Sequence, residues 1–546
     1  MTVSISGGCV RLVLVATAGN QAYVFAGNRL REAVGASYLI SEATTSVVRR
    51  HLGDGRVVSS SSGSALVVVD SEEQARELVR AVSGFAAREA PGLSVVGVHM
   101  PIAGDEPTAA ELVAVRRLWH RHVDRCPGVG ARWPRLPVVA ACTSTDLPAA
   151  GWFSDGVRGA DGRFPAGERP VPLSVSVVAK RRARWAAHTR MARVLESTAA
   201  GVGLGLVDTG DLLESVEWVG VVHADANRLG RVFQRAPEAL AALGGFAGDR
   251  SLGALSAAVQ RCADEAFGEA VAVVAGLVGR RRDLPVVPLV VGGDDLTVLV
   301  DGRYAAAFAQ HYLAAFGTRS AGDPLISAVS AAALPDGPTS HVPGSDMSDS
   351  GMSGSGGSRM GGLTVSAGVA VVKPLFPFSM AYELADELCR GAKRVAAVHP
   401  GCHGLDVHVL LDSSVADLAA IRAGYEVWDG RGWASATRRP FLLPATGGAP
   451  VPPGRDWRWL TEHAELVREA PNGGGEGRVV TRSQLHALRG ELRTDPVRAA
   501  RRVEQWRRRA ATSRDRALVA ALSQPGPAPV LDLLELAEFA VTGVSA

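Results

Sequence analysis

Along residues 285–300, PVVPLVVGGDDLTVLV, apolar positions form two short Val- and Leu-rich runs around the tetrad Gly292, Gly293, Asp294 and Asp295. Strand-length runs joined through glycines, which accept positive φ, predict a β-hairpin with two carboxylates at its tip. Upstream, residues 217–233 read EWVGVVHADANRLGRVF, an apolar strand ending in Asp225 and a helix beginning near Asn227. Helical patterning over residues 231–243 and 252–278 fills the interval before the hairpin. After it, a helix over 304–316, a strand over 363–372 and a helix over 379–395 complete a ferredoxin-like βαββαβ unit with one extra helix. The first two strands of that topology run parallel, which brings Asp225 and the hairpin tip to one edge of the sheet.

The same order is predicted a second time near the N-terminus. Residues 11–15 read as a strand, 29–52 as a helix, 56–60 and 65–69 as a hairpin, 72–87 as a helix and 93–99 as a strand. Its turn offers Ser62, Gly63, Ser64 and Ala65, and no Asp ends its first strand. This copy therefore lacks metal ligands and is expected to be noncatalytic. Between the copies, helices are predicted over 109–124 and 179–199. Residues 336–362, dense in Gly, Ser, Pro and Met, cannot build a core and predict a flexible insertion. Beyond residue 405 the pattern is mainly helical, with a strand-like HVLLDSS from His408, a break at 470–477 and an Arg-rich helix over 495–516. The patterns predict an α+β chain divided as 1–105, 106–214, 215–404 and 405–546.

Composition adds bounds. The 546 residues are 47% hydrophobic and 21% charged, enough for several cores, and a net charge of +3 is too small to mark a nucleic-acid protein. No apolar run reaches the roughly 18 residues a membrane helix needs, and the N-terminus lacks a basic leader, so a cytoplasmic protein with no membrane partner is expected. The six cysteines form no C-x-x-C pair, which favours reduced thiols over zinc. Arg501, Arg502, Arg507, Arg508 and Arg509 present either a surface for RNA phosphates or an acidic partner, or a solvated helix face.

The candidate chemistry lies in the acids. Adjacent carboxylates at a hairpin tip between buried strands are costly to gather unless a cation neutralises them. With Asp225, residues Asp294 and Asp295 form the set that a two-metal site uses; an ordinary solvated Asp turn is the alternative. Lysine is scarce: of 58 Lys plus Arg only Lys180, Lys373 and Lys393 are Lys, so a retained Lys stands out. Lys393 lies where a compact ammonium can meet phosphate, or is a helix-end residue favoured by the dipole. Lys373 is a weaker candidate for the same role, and Lys180 reads as structural.

At these residues the chain resembles the CRISPR-associated type III polymerase/cyclase family, whose large effector subunit pairs two palm domains and carries a GGDD motif; the diguanylate cyclases are a more distant likeness. The resemblance rests on GGDD at 292–295, on D-A-N-R-L-G from Asp225 to Gly230 against the family's D-G-D-x-x-G, on TVSAGVAVV from Thr364, on Ala392-Lys393 and on NRLREAVGASYLI from Asn28. Asn227 replaces the family's second acid. The resemblance implies two palms, the first degenerate, and an oligonucleotide cyclase that joins ATP into cyclic oligoadenylate in antiviral defence. It further implies Mg²⁺ or Mn²⁺ held by Asp225, Asp294 and Asp295, with Lys393 on the triphosphate. The helix start, Ala226, Asn227, Arg228, Leu229 and Gly230, would cradle phosphate, with Gly292, Gly293 and Ser366 as further nucleotide contacts. RNA and other CRISPR-type subunits are the implied partners. A zinc insert is common between the palms of the family; Cys126 and Cys142, with His120 and His122, are weak candidates for one. No His-Asp dipeptide of the family's nuclease domain occurs. Two alternative readings stand: a noncatalytic nucleotide- or RNA-binding scaffold, and a cyclase making a cyclic dinucleotide or mononucleotide.

Overall fold

The computed structural model describes residues 10–27, 29–104, 106–126, 133, 136–153, 170–244, 251–334, 362–411, 417–428, 433–435, 437–445, 450–452, 454–468, 480–523 and 530–539. The expected insertion, apart from Gly362, and the break at 470–477 lie outside these residues.

The first unit comprises β1 (Arg11–Ala18), α1 (Asn20–Val24), α2 (Leu30–Thr44), α3 (Ser46–His51), β2 (Arg56–Ser61), β3 (Ser64–Val69), α4 (Glu72–Arg88) and β4 (Ser94–Pro101). Its sheet has the order β2-β3-β1-β4 with every neighbour antiparallel, which is the ferredoxin-like arrangement. The single helix expected over 29–52 is two helices. The Thr44 and Thr45 hydroxyls donate back to the carbonyls of Ile40 and Ser41, at 3.2 and 2.7 Å, and compete with the helical ladder where the chain bends. A connecting region follows, with α5 (Ala109–Val123), β5 (Gly151–Phe153), β6 (Val171–Leu173), α6 (Val175–Ser197) and α7 (Thr209–Ser215). Its small β5–β6 pair and α7 carry too few residues to give a periodic signal.

The second unit runs through β7 (Val219–Ala226), α8 (Leu229–Ala242), α9 (Leu252–Val278), β8 (Val286–Gly292), β9 (Asp295–Asp301), α10 (Gly302–Gly322), α11 (Pro324–Ala333), β10 (Val365–Val372), α12 (Phe378–Ala397) and β11 (Cys402–Val409). The remainder comprises α13 (Leu418–Ala423), β12 (Glu426–Trp428), β13 (Trp433–Ser435), β14 (Phe441–Pro444), α14 (Trp457–Arg468), α15 (Arg482–Thr494), α16 (Pro496–Arg509), α17 (Ser513–Leu522) and α18 (Val530–Phe539). The second sheet has the order β14-β11-β10-β7-β9-β8. Strands β10, β7, β9 and β8 repeat the ferredoxin-like order, and β11 extends the sheet by pairing parallel to β10. The expected boundary at residue 405 thus falls inside β11, a strand of this sheet rather than the start of a helical region.

Alternation along β7 decides what each face carries. Val222 and Ala224 join the core formed with α9 and α10, whereas Val219 and Val221 join a second core with α12 and with Leu30 and Val34 of α2. Helix α12 lies close on the sheet because Gly368 and Gly404 present no side chain: a Cβ at Gly368 would stand 2.0 Å from the Ala385 carbonyl oxygen, and one at Gly404 2.6 Å from that of Ala392. The C-terminal helices are tied to this sheet through buried Arg439, which reaches Asp532 at 2.8 Å and Glu535 at 2.6 Å. The Arg-rich helix expected over 495–516 is broken, since α16 stops at Arg509 and Thr512 caps α17 by accepting the Asp515 N–H. Arg502 pairs with Glu491, and Arg507 and Arg508 pair with Glu504. Among the described residues no helix is long and apolar enough to cross a membrane.

Candidate active site

Strand register assembles the site. Gly292 lies opposite Asp295, Asp295 opposite Asp225, and Asp225 opposite Ser366, so one row crosses four strands at the end of the sheet. Residues directly opposed in a sheet project to the same face, here the face under α12. Asp294 sits in the turn between β8 and β9, where its carbonyl accepts the Ala226 N–H at 2.9 Å and so joins the two carboxylate-bearing segments. Gly293 takes a φ of 58° in that turn, and its N–H donates to Gln260 Oε1 of α9 at 2.8 Å. Gln260 is itself fixed by donating to Asp264 at 2.8 Å.

Over this row, α12 presents Tyr382, Asp386, Cys389 and Lys393 at a spacing that keeps them on one side of a helix. Lys393 Nζ lies 2.5 Å from Asp225 Oδ1, and the Cys389 thiol donates to the Ser366 carbonyl at 3.2 Å. Two positions before Asp225, on the same face of β7, buried His223 shares a hydrogen bond of 3.1 Å with the Thr297 hydroxyl. The Asp295 carboxyl is pushed up to about 6 by burial and by the charges of Asp294 and Asp225, against the opposing pull of His223. Asp294 is raised too, by desolvation and by Asp225; its side chain is exposed at the turn tip, so the charge of Asp225 is the weightier cause.

Asp225, Asp294 and Asp295 offer oxygen donors of the kind a divalent cation takes. Asp295 Oδ1 is closed off from solvent and has no hydrogen-bond partner, a costly condition for a carboxylate oxygen that a cation would relieve. Among the described residues no three Asp, Glu, His or Cys side chains stand together so that they could hold a metal ion as they are placed. The backbone brings Asp225, Asp294 and Asp295 together, while the Asp225 side chain turns to the Lys393 ammonium.

The other expected residues are placed unequally. Leu229 and Gly230 open α8 and line a recess of about 190 Å³ together with Gly293 and Asp294. The N–H groups of Ala226 and Asn227 are already bonded to the carbonyls of Asp294 and Thr364, so they do not cradle phosphate. Arg228 takes a φ of 61° ahead of α8 and reaches the Ala397 carbonyl at 3.3 Å. Asn227 is a structural tie: its carboxamide donates to Thr364 and accepts from the Ser366 hydroxyl, both at 3.0 Å. Ser366 is fully buried and occupied by Asn227, so it does not face a nucleotide.

Lys373 follows the opposite end of β10, stacked 3.7 Å over the Trp218 ring and 3.0 Å from Glu217, away from the carboxylates. Lys180 is buried and donates to the Tyr23 carbonyl at 2.5 Å, as the structural reading expects. Cys126 is exposed and Cys142 buried, and they belong to no metal-binding cluster among the described residues.

Sequence reasoning missed His223, Gln260 and a cleft of about 800 Å³ between the units. Arg49, Arg50, Arg190, Arg193, Ser62 and Gly292 are among the residues lining it. The alternation His223-Ala224-Asp225 was a readable signal for His223, whereas the cleft needs the tertiary fold. In the first unit, the Thr17 N–H donates to the Gly63 carbonyl at 2.9 Å, repeating the bond between Ala226 and Asp294. By that correspondence Ala16 and Ser64 stand where the second unit has Asp225 and Asp295.

No protein-family model matches the chain, and no curated protein matches it by sequence. Solved structures do. A Csm1–Csm4 cassette in complex with pppApApA matches at a TM-score of 0.52 and 13% identity over 98% of this chain and 71% of that one. The cassette in complex with pppApA matches at 0.50 and 13%, over 98% and 70%. The chain therefore shares the fold of the matched Csm1–Csm4 cassette structures.

Proposed function

We propose that this chain is a nucleotidyltransferase that joins ATP into a cyclic oligoadenylate, as the cyclase-type subunit of a CRISPR type III assembly. The observation that carries the reading is the register that sets Asp225 opposite Asp295 beside the Asp294 tip, bordering clefts between two units of like topology. Complexes of the same fold with pppApA and pppApApA support adenylate chemistry. Their pairing with Csm4 supports a partner subunit here. In this reading the two units act as paired palms, the second catalytic and the first degenerate.

Asp225, Asp294 and Asp295 would hold Mg²⁺ or Mn²⁺, which supplies Lewis-acid polarisation of phosphate oxygens and a lower pKa for a bound hydroxyl. The residues of the chain do the rest. Lys393 offsets charge on the departing pyrophosphate. The N–H groups of Leu229 and Gly230, in the first turn of α8, lack intrahelical partners and are donors for phosphate oxygens. Arg190 and Arg193 on α6 and Arg49 and Arg50 on α3 offer positive charge to the phosphates of an acceptor strand in the cleft. In each transfer the acceptor 3′-oxygen bonds to the donor α-phosphorus, pyrophosphate leaves and the hydroxyl proton is released. Ring closure repeats the step within one strand.

A nucleotide-binding scaffold without turnover is the second reading, favoured by Asn227 in place of an acid. Pyrophosphate release assayed with each of the four ribonucleoside triphosphates, with and without RNA, separates the two. Release from ATP that is lost in Asp295→Ala supports the transferase. Binding of ATP without release in any condition supports the scaffold.

A further inference from the structure

Beneath α12, buried His223 has no part in the chemistry set out above, yet its surroundings are specific. Its Nδ1 lies 3.1 Å from the Thr297 hydroxyl and 3.5 Å from Asp295 Oδ1, the carboxylate oxygen that lacks a hydrogen-bond partner. Its Nε2 lies 3.8 Å from Asp386 Oδ1, and Asp386 is held in turn by Arg390. The ring packs against Tyr382 with centroids 5.3 Å apart at an interplanar angle of 61°. A strand neighbour, a helix carboxylate and an aromatic wall thus fix one imidazole against one metal-ligand candidate.

We propose that His223 is a positioning residue. Its imidazole, set between Thr297, Tyr382 and Asp386, backs Asp295 Oδ1 and so orients the exposed remainder of the carboxylate toward a divalent cation shared with Asp225. The proposal rests on the metal-site reading above and extends it to the groups that aim the ligand. The 3.5 Å approach of His223 to Asp295 is a contact short of a hydrogen bond; outer-shell partners orient metal ligands in general, and removing one typically lowers metal affinity about 10–100-fold. Register explains why β7 is the source. His223 and Asp225 share one face of that strand, and Thr297 lies opposite His223 as Asp295 lies opposite Asp225. The strand pair therefore carries a ligand row and, one pleat behind it, a supporting row.

The test is Mn²⁺ binding to the full-length protein without nucleotide, followed by the electron paramagnetic resonance of free Mn²⁺. Melting temperature in the absence of metal controls for folding. His223→Ala is expected to weaken Mn²⁺ binding by roughly 10–100-fold. His223→Gln, which keeps a side-chain N–H near Thr297 and Asp295, is expected to recover part of the loss. Thr297→Val, which leaves the imidazole in place without its tether, should show a smaller loss and carries the test if His223→Ala does not fold. Wild-type affinity in both His223→Ala and Thr297→Val overturns the positioning role and leaves the metal site standing. Absence of Mn²⁺ binding by the wild-type protein overturns both.

Discussion

At the residue scale, the acids and Lys393 were legible because each breaks an otherwise apolar or Arg-rich pattern. What Asn227 and Ser366 do was not legible. Asn227 bonds to both Ser366 and Thr364 across a strand pair whose register no single segment reveals. Asn227→Asp keeps an acceptor for Ser366 but loses the donor to Thr364. It should cost about 1 kcal/mol of stability without metal while tightening Mn²⁺ binding through the added charge; urea titration and a Mn²⁺ titration check the two effects separately. Lys393 lies against Asp225 and sets charge at a point rather than through a planar fork. Lys393→Ala should lower the rate of pyrophosphate release on the order of 10- to 100-fold, and Lys393→Arg should recover it incompletely. Full recovery by Arg would contradict a role specific to the ammonium.

At the element scale, both ferredoxin-like orders could be read from periodicity, since their strands and helices are long enough to repeat. The extension of the second sheet by β11 and β14 could not, because CHGLDVHV of β11 is buried along its whole length and mixes polar with apolar side chains. His403 and Asp406 on that strand survive burial through local partners, the Val365 N–H at 3.1 Å and Arg422 at 2.6 Å. The contact of α12 with β10 depends on Gly368, whose Cβ would meet the backbone of α12. Gly368→Ala should therefore destabilise by about 1–3 kcal/mol and impair turnover as well, because α12 carries Lys393 and Asp386 over the carboxylate row. Gly276→Ala on α9, where a Cβ meets nothing within 4 Å, should be neutral or stabilising by about 0.5–1 kcal/mol. Denaturant midpoints of the two variants, measured together, test whether close approach or helix propensity decides.

At the scale of the whole molecule, two copies of one topology face each other across a cleft, and only one retains acids at the strand ends. The division was visible in the Ser62-Gly63-Ser64 turn, while the arginines of the cleft come from α3 and α6 and converge only in the folded chain. Stability should also follow pH. Burial holds the His403 imidazole down to about 4 while it accepts the Val365 N–H, so the folded chain keeps it neutral where the unfolded chain protonates it. The folded state loses stability as pH falls from about 6.5 towards 4, with this one group contributing about 2 kcal/mol between pH 7.5 and 5. His403→Gln should flatten that slope in urea melts. The central claim, that Asp225, Asp294 and Asp295 drive adenylate joining, is tested most directly by mass spectrometry of the products formed from ATP with Mg²⁺ or Mn²⁺, wild type beside Asp225→Ala and Asp295→Ala. A cyclic oligoadenylate is expected from the wild type, falling on the order of 10²- to 10³-fold in both variants. Equal product from all three, or none from the wild type with its partner subunits and RNA present, would contradict that claim.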